Sequence, residues 1–479
     1  MIKQLPPFKL GLLITAIALI TPAMALAQPS GYEGYRVVQI QIRSESDLEA
    51  LRKLELLGRD FQIWSEVVAL DFGPIEARVA PSASPALDAS GLQYTIAIPD
   101  LQKYLDGLYS AEPLGDDRGG FFNSLQTYNN HVAFMDTLVA TYPDLAQKVS
   151  LGTSILGRNM WALRITGPQA RRKPAVFMHG AEHGNEQAPA SIVAFVANHL
   201  LTNYGTNPTV TALVDNVEWY LLPIMNPDGY VAYDRYNAHG YDLNRNWGGP
   251  GSGQDSTGGP FPFSEAETAQ LRSFLVNHDN VRVHVDLHGY VPWIMWPWGH
   301  TPTHCADHAT FLSIGTVVRN RITAAGGGTY DIGSIYEVAY PVSGSSTNYS
   351  YNARGIWAFG IECLDDYMPS ICQEFLSGML YFGEWIDAHD CNANGVMDSD
   401  DITAGTASDC NGNGVPDQCE CPGELDGNCT VNIADLAQLL SHYGDATGAT
   451  YRDGDLTGDG AVNLPDLAAL LAAYGTTCN

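Results

Sequence analysis

The chain has 479 residues, 45% of them hydrophobic, with 53 Asp and Glu against 24 Lys and Arg for a net charge of −29. The length points to more than one domain, and so acidic a chain repels phosphate, which excludes a nucleic-acid partner. Nine cysteines suit an oxidising compartment, and the odd number leaves at least one without a partner in the chain.

Residues 1–27 read as a secretion signal. Lys3 and Lys9 flank a short apolar run over residues 10–20, and Ala25-Leu26-Ala27 supplies the small-residue cleavage pattern. That run is too short for a membrane span, and no later stretch reaches spanning length. The mature protein is therefore expected to be exported, whether to the exterior, the cell surface or a periplasm.

Residues 31–118 read as a small α+β unit. "YRVVQIQI" alternates as a strand does, "SESDLEALRKLELLG" opens on a capping signal and keeps helical spacing, and "DFQIW" and "IEARVAP" are strand-like. "ALDASGLQYTIAI" passes from helix to strand through a Gly, and "DLQKYLDGLY" is helical again. Strand, helix, strand, strand, helix, strand is the order of a split βαβ sandwich. The linker "SAEPLGDDRGG", containing Arg118, closes the unit.

Residues 119–389 alternate buried-type strands ("KPAVFMHG", "VEWYLLPIM", "VRVHVDLH", "GIWAFGIE") with helices such as "APASIVAFVANHLLTNYG" and "SEAETAQLRSFLVNH", the second with a Ser-x-x-Glu-like start. This alternation predicts an α/β fold, a mostly parallel mixed sheet flanked by helices. Ligands in such folds gather at the carboxyl ends of strands.

One such end, "FMHGAEHGNEQ", holds His-x-x-Glu twice, as His179 with Glu182 and as His183 with Glu186. A catalytic zinc takes three protein ligands and keeps one position open. A His and a Glu three apart beyond a strand can reach one ion, and the third ligand normally comes from a distant segment. His288 supplies a candidate, at the carboxyl end of a strand whose Arg282, His284 and Asp286 share its face. On the residues alone, both pairs remain open as ligands.

In order along the chain, these segments resemble the zinc metallocarboxypeptidases of the carboxypeptidase A/B family. "PAVFMHGAEHGNEQ" is similar to the family's strand-plus-ligand segment, which selects His183 and Glu186, and "DLHGYVPWIMWPWG" to its third-ligand segment, which selects His288. His179 and Glu182 then fall within the strand, as packing or support. "NPDGY" and "DRYNAHGYDLNRNW" are similar to the substrate-binding run. The resemblance implies Arg235 as the group that meets the oxyanion, and Asn244 with Arg245 as the pair holding the substrate's terminal carboxylate, a planar anion that suits a guanidinium fork. "YPVSGSSTNYSY" implies Tyr340, with Tyr336 as the weaker candidate, as the tyrosine that caps the substrate, and "FGIECLDD" implies Glu362 as the catalytic glutamate. The pocket for the departing side chain is implied to be lined by Met295, Ile335, Ala339, Val342 and Thr347. Thr347 stands at the floor position that is acidic in members preferring Lys and Arg. Asn185 and Gly289 depart from the pancreatic branch, which has arginine and serine there. "YRVVQI" and "DFQIW" resemble the family's activation domain, which implies an inhibitory prosegment.

From Asp390 onward there are 15 Asp and Glu against one base, Arg452, and six of the cysteines. The acids are spaced as calcium loops space them, at positions 1, 3, 5, 9 and 12 with Gly at 6. "DCNANGVMDSDD" offers Asp390, Asn392, Asn394, Asp398 and Asp401; "DCNGNGVPDQCE" offers Asp409, Asn411, Asn413, Asp417 and Glu420; "DLTGDGAVNLPD" offers Asp455, Thr457, Asp459, Asn463 and Asp466. "ELDGNCTVNIAD", from Glu424, is a degenerate copy with Cys429 where Gly belongs. "NIADLAQLLSHYG" repeats as "NLPDLAALLAAYG". Residues 390–420 resemble thrombospondin type-3 loops and 421–479 a dockerin-type module. Two readings of the tail stay open, docking of a protein partner and a calcium-stiffened stalk.

The expected protein is a secreted zinc carboxypeptidase with structural calcium in its tail. Its rivals are a peptidase of cell-wall murein peptides and a calcium-dependent adhesion protein with a dead peptidase domain.

Overall fold

The computed structural model describes residues 31–64, 74–108, 120–169, 171–253, 255–364 and 368–478. The expected secretion signal and the expected linker around Arg118 lie outside the described residues.

The N-terminal unit is a four-stranded antiparallel sheet in the order β2-β3-β1-β4, with β1 Arg36–Gln41, β2 Phe61–Ile63, β3 Pro74–Val79 and β4 Gln93–Ile98. Helices Glu45–Glu55 and Ser84–Ala89 fall between the strands as expected, and Leu101–Leu108 follows. Ser44 caps the first helix, accepting from Asp47 N–H. Val38, Ile40, Leu51, Leu54, Ala77 and Leu87 make its core.

The large unit is one eight-stranded sheet, ordered β11-β10-β12-β9-β7-β8-β6-β5. In chain order these are β5 Ala146–Thr153, β6 Asn159–Ile165, β7 Ala175–Gly180, β8 Glu218–Leu222, β9 Val281–Gly289, β10 Trp293–Trp296, β11 Asp331–Ser334 and β12 Trp357–Cys363. The central strands β12, β9, β7 and β8 run parallel, and the rest of the sheet is antiparallel except for the β10–β11 pair. Central strands buried on both faces are built largely from apolar residues. On β7, Val176 and Met178 enter one core, with helices Ala188–Asn203, His308–Ala324 and Ser370–Asp387. Ala175 and Phe177 enter the other, with helix Ala266–Asn277. Parallel pairing brings the carboxyl ends of β7, β9 and β12 side by side, with Glu362 on β12 opposite His288 on β9.

The tail forms four loops, each followed by a helix. It carries the disulfides Cys391–Cys419, Cys410–Cys429 and Cys421–Cys478, while Cys305, Cys363 and Cys372 are buried and form no disulfide. Its first loop is seated on the large unit. Met397 joins the main core, Arg171 donates to Ala393 O at 2.6 Å, and Arg282 lies 3.8 Å from Asp400.

Candidate active site

Beyond β7 the chain turns at Ala181, a non-glycine residue at φ 52°, and runs through His183 and Glu186 into helix Ala188–Asn203. Gly184 is required here, because a Cβ would come 2.1 Å from the Gly229 backbone. His183 and Glu186 thereby face His288 at the end of β9. His183 Nδ1 lies 2.8 Å from Glu186 Oε1 and 3.2 Å from His288 Nδ1, and His288 Nδ1 lies 3.1 Å from Glu186 Oε2. All three are buried.

These residues fit a zinc ion. Two imidazole nitrogens and a carboxylate about 3 Å apart is the spacing that ligands at ~2.0–2.2 Å from a common ion adopt. Burial alone would raise the Glu186 carboxyl, but His183 and His288 outweigh it and hold it at about 2. Burial likewise disfavours a charged His288, yet Asp286 and Glu186 overcome it and raise its pKa well above the ordinary value. The ring must therefore give up a proton to bind a cation.

His183 and His288 each have an aspartate behind them. His183 Nε2 lies 3.1 Å from Asp242 Oδ1, and His288 Nε2 lies 3.0 Å from Asp286 Oδ1. Arg235 grips Asp242 Oδ2 through Nη2 at 3.0 Å and Nε at 3.2 Å, and its Nη1 lies 3.5 Å from Glu186 Oε1. Burial pushes the Asp242 carboxyl up, but Arg235 and His183 override it and hold it well below the carboxylate range.

Next to the triad is a pocket lined by Asn244, Arg245, Asp286, His288, Trp293, Met295, Ile335, Ala339, Tyr340, Val342, Ser345, Thr347, Gly360 and Glu362. Asn244 and Arg245 reach it from the short turn Leu243–Arg245, which Asp242 caps by accepting from Asn244 N–H. Arg245 Nη2 donates to Tyr340 Oη at 2.8 Å, and Asn244 Nδ2 lies 3.2 Å from His288 Nε2. All five expected pocket residues, Met295, Ile335, Ala339, Val342 and Thr347, meet in this one space together with Tyr340; Tyr336 is not among its walls.

Glu182 does not lie within the strand; it follows the end of β7, while His179 is inside it. Both are fully buried behind His288. Asp242, Trp293, Ser345 and Gly360 were not singled out from the sequence. Asp242 had a signal, standing two residues before Asn244 in the quoted run, but its partners are visible only in three dimensions.

The tail loops repeat their contacts. Asp390 accepts from the N–H groups of Asn394 and Gly395, and Asn392 and Asn394 donate to Asp401; Asp409 accepts from Asn413 and Gly414, and Asn411 and Asn413 donate to Glu420. Asp455 accepts from Asp459 and Gly460, and Asp466 accepts from Thr457. The degenerate copy folds likewise: carboxylate oxygens of Glu424, Asp426 and Asp435 lie within 4.8 Å of one another. The backbone accommodates Cys429 at φ 68°, where Gly was expected.

A family described as zinc carboxypeptidase matches residues 131–376, and the carboxypeptidase activation peptide matches residues 38–107. Carboxypeptidase A2 of Rattus norvegicus is 32% identical over 358 residues, covering 68% of this chain and 83% of its own. Zinc carboxypeptidase A 1 of Drosophila melanogaster is 28% identical over 379 residues, covering 72% and 87%. Among solved structures, thrombin activatable fibrinolysis inhibitor superposes with a TM-score of 0.66 at 18% identity, covering 74% of this chain and 100% of that one. Carboxypeptidase A from Helicoverpa armigera does so at 0.62 and 23%, covering 75% and 99%. Both share the fold. The chain belongs to the zinc carboxypeptidase family, a metallocarboxypeptidase that hydrolyses peptides and is preceded by the family's activation peptide.

Proposed function

We propose that this enzyme removes one residue from the carboxyl end of peptides, favouring neutral and chiefly apolar or aromatic ends, and that His183, Glu186 and His288 hold its zinc. The observation that carries the reading is that triad, whose His288 also lines the pocket where Glu362, Asn244, Arg245 and Tyr340 meet. Zinc bound there would lower the pKa of a water and polarise the scissile carbonyl. Glu362 takes the proton of the attacking water and passes it to the leaving amine. Arg235 faces the developing oxyanion. Arg245 and Asn244 clasp the terminal carboxylate, and Tyr340, already bonded to Arg245, closes over it. The free-carboxylate clamp argues for an exopeptidase and against an inactive adhesion domain; a murein peptide with a free carboxyl end remains an alternative substrate.

The remaining assignments belong to the same reading. Residues 1–27 direct secretion, 31–118 form the prosegment and linker, 119–389 the catalytic domain, 390–420 the calcium repeats and 421–479 the dockerin-like module. Cleavage after Arg118 releases the enzyme. Calcium binds at Asp390, Asn392, Asn394, Asp398 and Asp401; at Asp409, Asn411, Asn413, Asp417 and Glu420; and at Asp455, Thr457, Asp459, Asn463 and Asp466. The convergence of Glu424, Asp426 and Asp435 adds a further loop. A protein partner of the tail finds support in its duplicated exposed face: Ile433, Leu440 and Tyr443 on one helix match Leu464, Leu471 and Tyr474 on the other.

The deciding experiment measures zinc content and hydrolysis of a peptide panel, with and without chelator, for the parent, His183→Ala and His179→Ala. His183→Ala is expected to lose zinc and activity, and His179→Ala to keep most of its zinc. Full zinc in His183→Ala would sink the ligand assignment.

A further inference from the structure

The His-x-x-Glu pair that does not face the zinc pocket still has a place in the site. His179, Glu182 and Asp286 bring a nitrogen and two carboxylate oxygens within 4.8 Å of one another, with His179 and Glu182 fully enclosed behind His288 and Asp286 at the pocket wall. Asp286 and His288 are two apart on β9 and project to the same face. Asp286 Oδ1 lies 3.0 Å from His288 Nε2 and 3.4 Å from His179 Nδ1, and its Oδ2 accepts from Ser346 Oγ. Ser346 opens the helix Ser346–Arg354, so the donor is carried by a regular element. Glu182 Oε1 accepts from Trp247 Nε1 at 2.8 Å, and Oε2 lies 3.7 Å from His288 Nε2. The contrast with the other ligand histidine is informative. Asp242, behind His183, is also gripped by Arg235. Among the described residues no arginine or lysine pairs with Asp286.

Resting on the ligand reading above, we propose that Asp286, oriented by Ser346, is the positioning residue for His288. A histidine that ligates through Nδ1 keeps its proton on Nε2. Asp286 Oδ1, 3.0 Å from Nε2 and holding no other hydrogen bond, is placed to take that proton's hydrogen bond, which would fix the tautomer and the ring plane and make Nδ1 a better donor. Glu182 and His179 close the side of the pair that faces away from the pocket.

The test uses the full chain with Asp286→Asn and Ser346→Ala. Zinc affinity is measured by chelator competition, zinc release by stopped flow, and ligand geometry by the visible spectrum of the cobalt-substituted protein. Asp286→Asn is expected to weaken zinc binding roughly 10- to 100-fold, to speed release and to alter the cobalt spectrum, while the melting temperature of the zinc-free chain stays near that of the parent. Ser346→Ala keeps the carboxylate but frees it to turn, and should show a smaller loss in the same direction; it also keeps the test standing if Asp286→Asn does not fold. Parent-like zinc affinity, release and spectrum in the folded variants overturn the inference. So do two zinc ions per parent chain, because the His179, Glu182 and Asp286 cluster would then hold an ion of its own. His183→Ala, run alongside, separates the two claims. If it loses zinc while Asp286→Asn binds normally, only the positioning role falls; if it keeps zinc, the ligand reading falls.

Discussion

His131 shows what a single buried group does to this molecule. It lies on the inner face of helix Tyr128–Thr141 against Phe121 and Tyr230, and neither ring nitrogen has a hydrogen-bond partner. Burial drives its pKa from 6.5 down to about 3. The folded state therefore refuses a proton that the unfolded chain accepts, so stability is full above pH 6.5 and is lost as pH falls towards 3. The slope is about 1.4 kcal/mol per pH unit within that window. His131→Leu keeps the helix and removes the titration. Its melting temperature is expected to fall less than the parent's between pH 7 and pH 5, and equal falls would show that other groups govern the acid limb. Thr347 makes the matching case for specificity. It is buried, uncharged and walled by Met295, Ile335 and Val342. A Lys side chain there would be desolvated against an uncharged floor, at a cost of a few kcal/mol, whereas an apolar one gains roughly 1.5–3 kcal/mol. Peptides ending in Phe or Leu should thus exceed those ending in Lys or Arg in kcat/KM by at least about tenfold, and Thr347→Asp should shift the preference towards basic ends. Faster release of Lys by the parent would refute the pocket assignment.

Elements succeed or fail by where their polar ends go. The Ser-x-x-Glu-like start at Ser264 leads to the helix Ala266–Asn277, yet Glu265 occupies the cap position and no side chain caps it. Ser264 is drawn away instead, taking a hydrogen bond from Asn246 Nδ2 at 2.9 Å and donating to Glu265 Oε1. In the tail the opposite holds: the first carboxylate of each loop accepts from backbone N–H groups of that same loop. Carboxylates gathered at this density repel one another until a cation joins them. Calcium is therefore expected to slow proteolysis of residues 390–479 several-fold, and peptidase activity should survive its selective removal, since the zinc ligands lie elsewhere. Protease sensitivity that is the same with and without calcium would count against the loops as calcium sites.

At the scale of the whole molecule, the N-terminal unit sits on the mouth of the site. Arg78, buried among Tyr32, Tyr35 and Trp64, reaches Asp234 at 3.4 Å, the residue before Arg235. Tyr32 donates to Ala232 O, Arg59 donates to Ala238 O at 2.6 Å, and Trp64 packs edge-on against Tyr233. Glu55 and Ile63 share a cleft with Arg235, Arg245 and Tyr340. Removing one partner of a buried ion pair strands the other, commonly at 3–5 kcal/mol. The uncut Arg78→Ala chain is accordingly expected to hydrolyse peptide at least about tenfold faster than the uncut parent, with no difference once both are cut. Equal rates before cutting would mean that the apolar contacts alone hold the prosegment down.

The sequence by itself determined the elements and the candidate residues. Strand and helix order in residues 31–105 follow from local periodicity, which needs no knowledge of distant partners, and the observed order is the one expected. The motifs around His183, His288, Asn244 and Glu362 were legible for the same reason, since each spans a few consecutive residues. Only the tertiary structure decided which groups meet. The different surroundings of His179 and His183 depend on the turn at Ala181, beyond which His183 meets Glu186 and His288 while His179 stays in the strand. The roles of Asp242 and Asp286 depend on side chains arriving from other elements. Cysteine pairing depends on the closure of the tail, and the loop at Glu424 on whether Cys429 tolerates a positive φ. These are long-range outcomes of packing and charge balance, set when the strands align their carboxyl ends and absent from any short window of the chain.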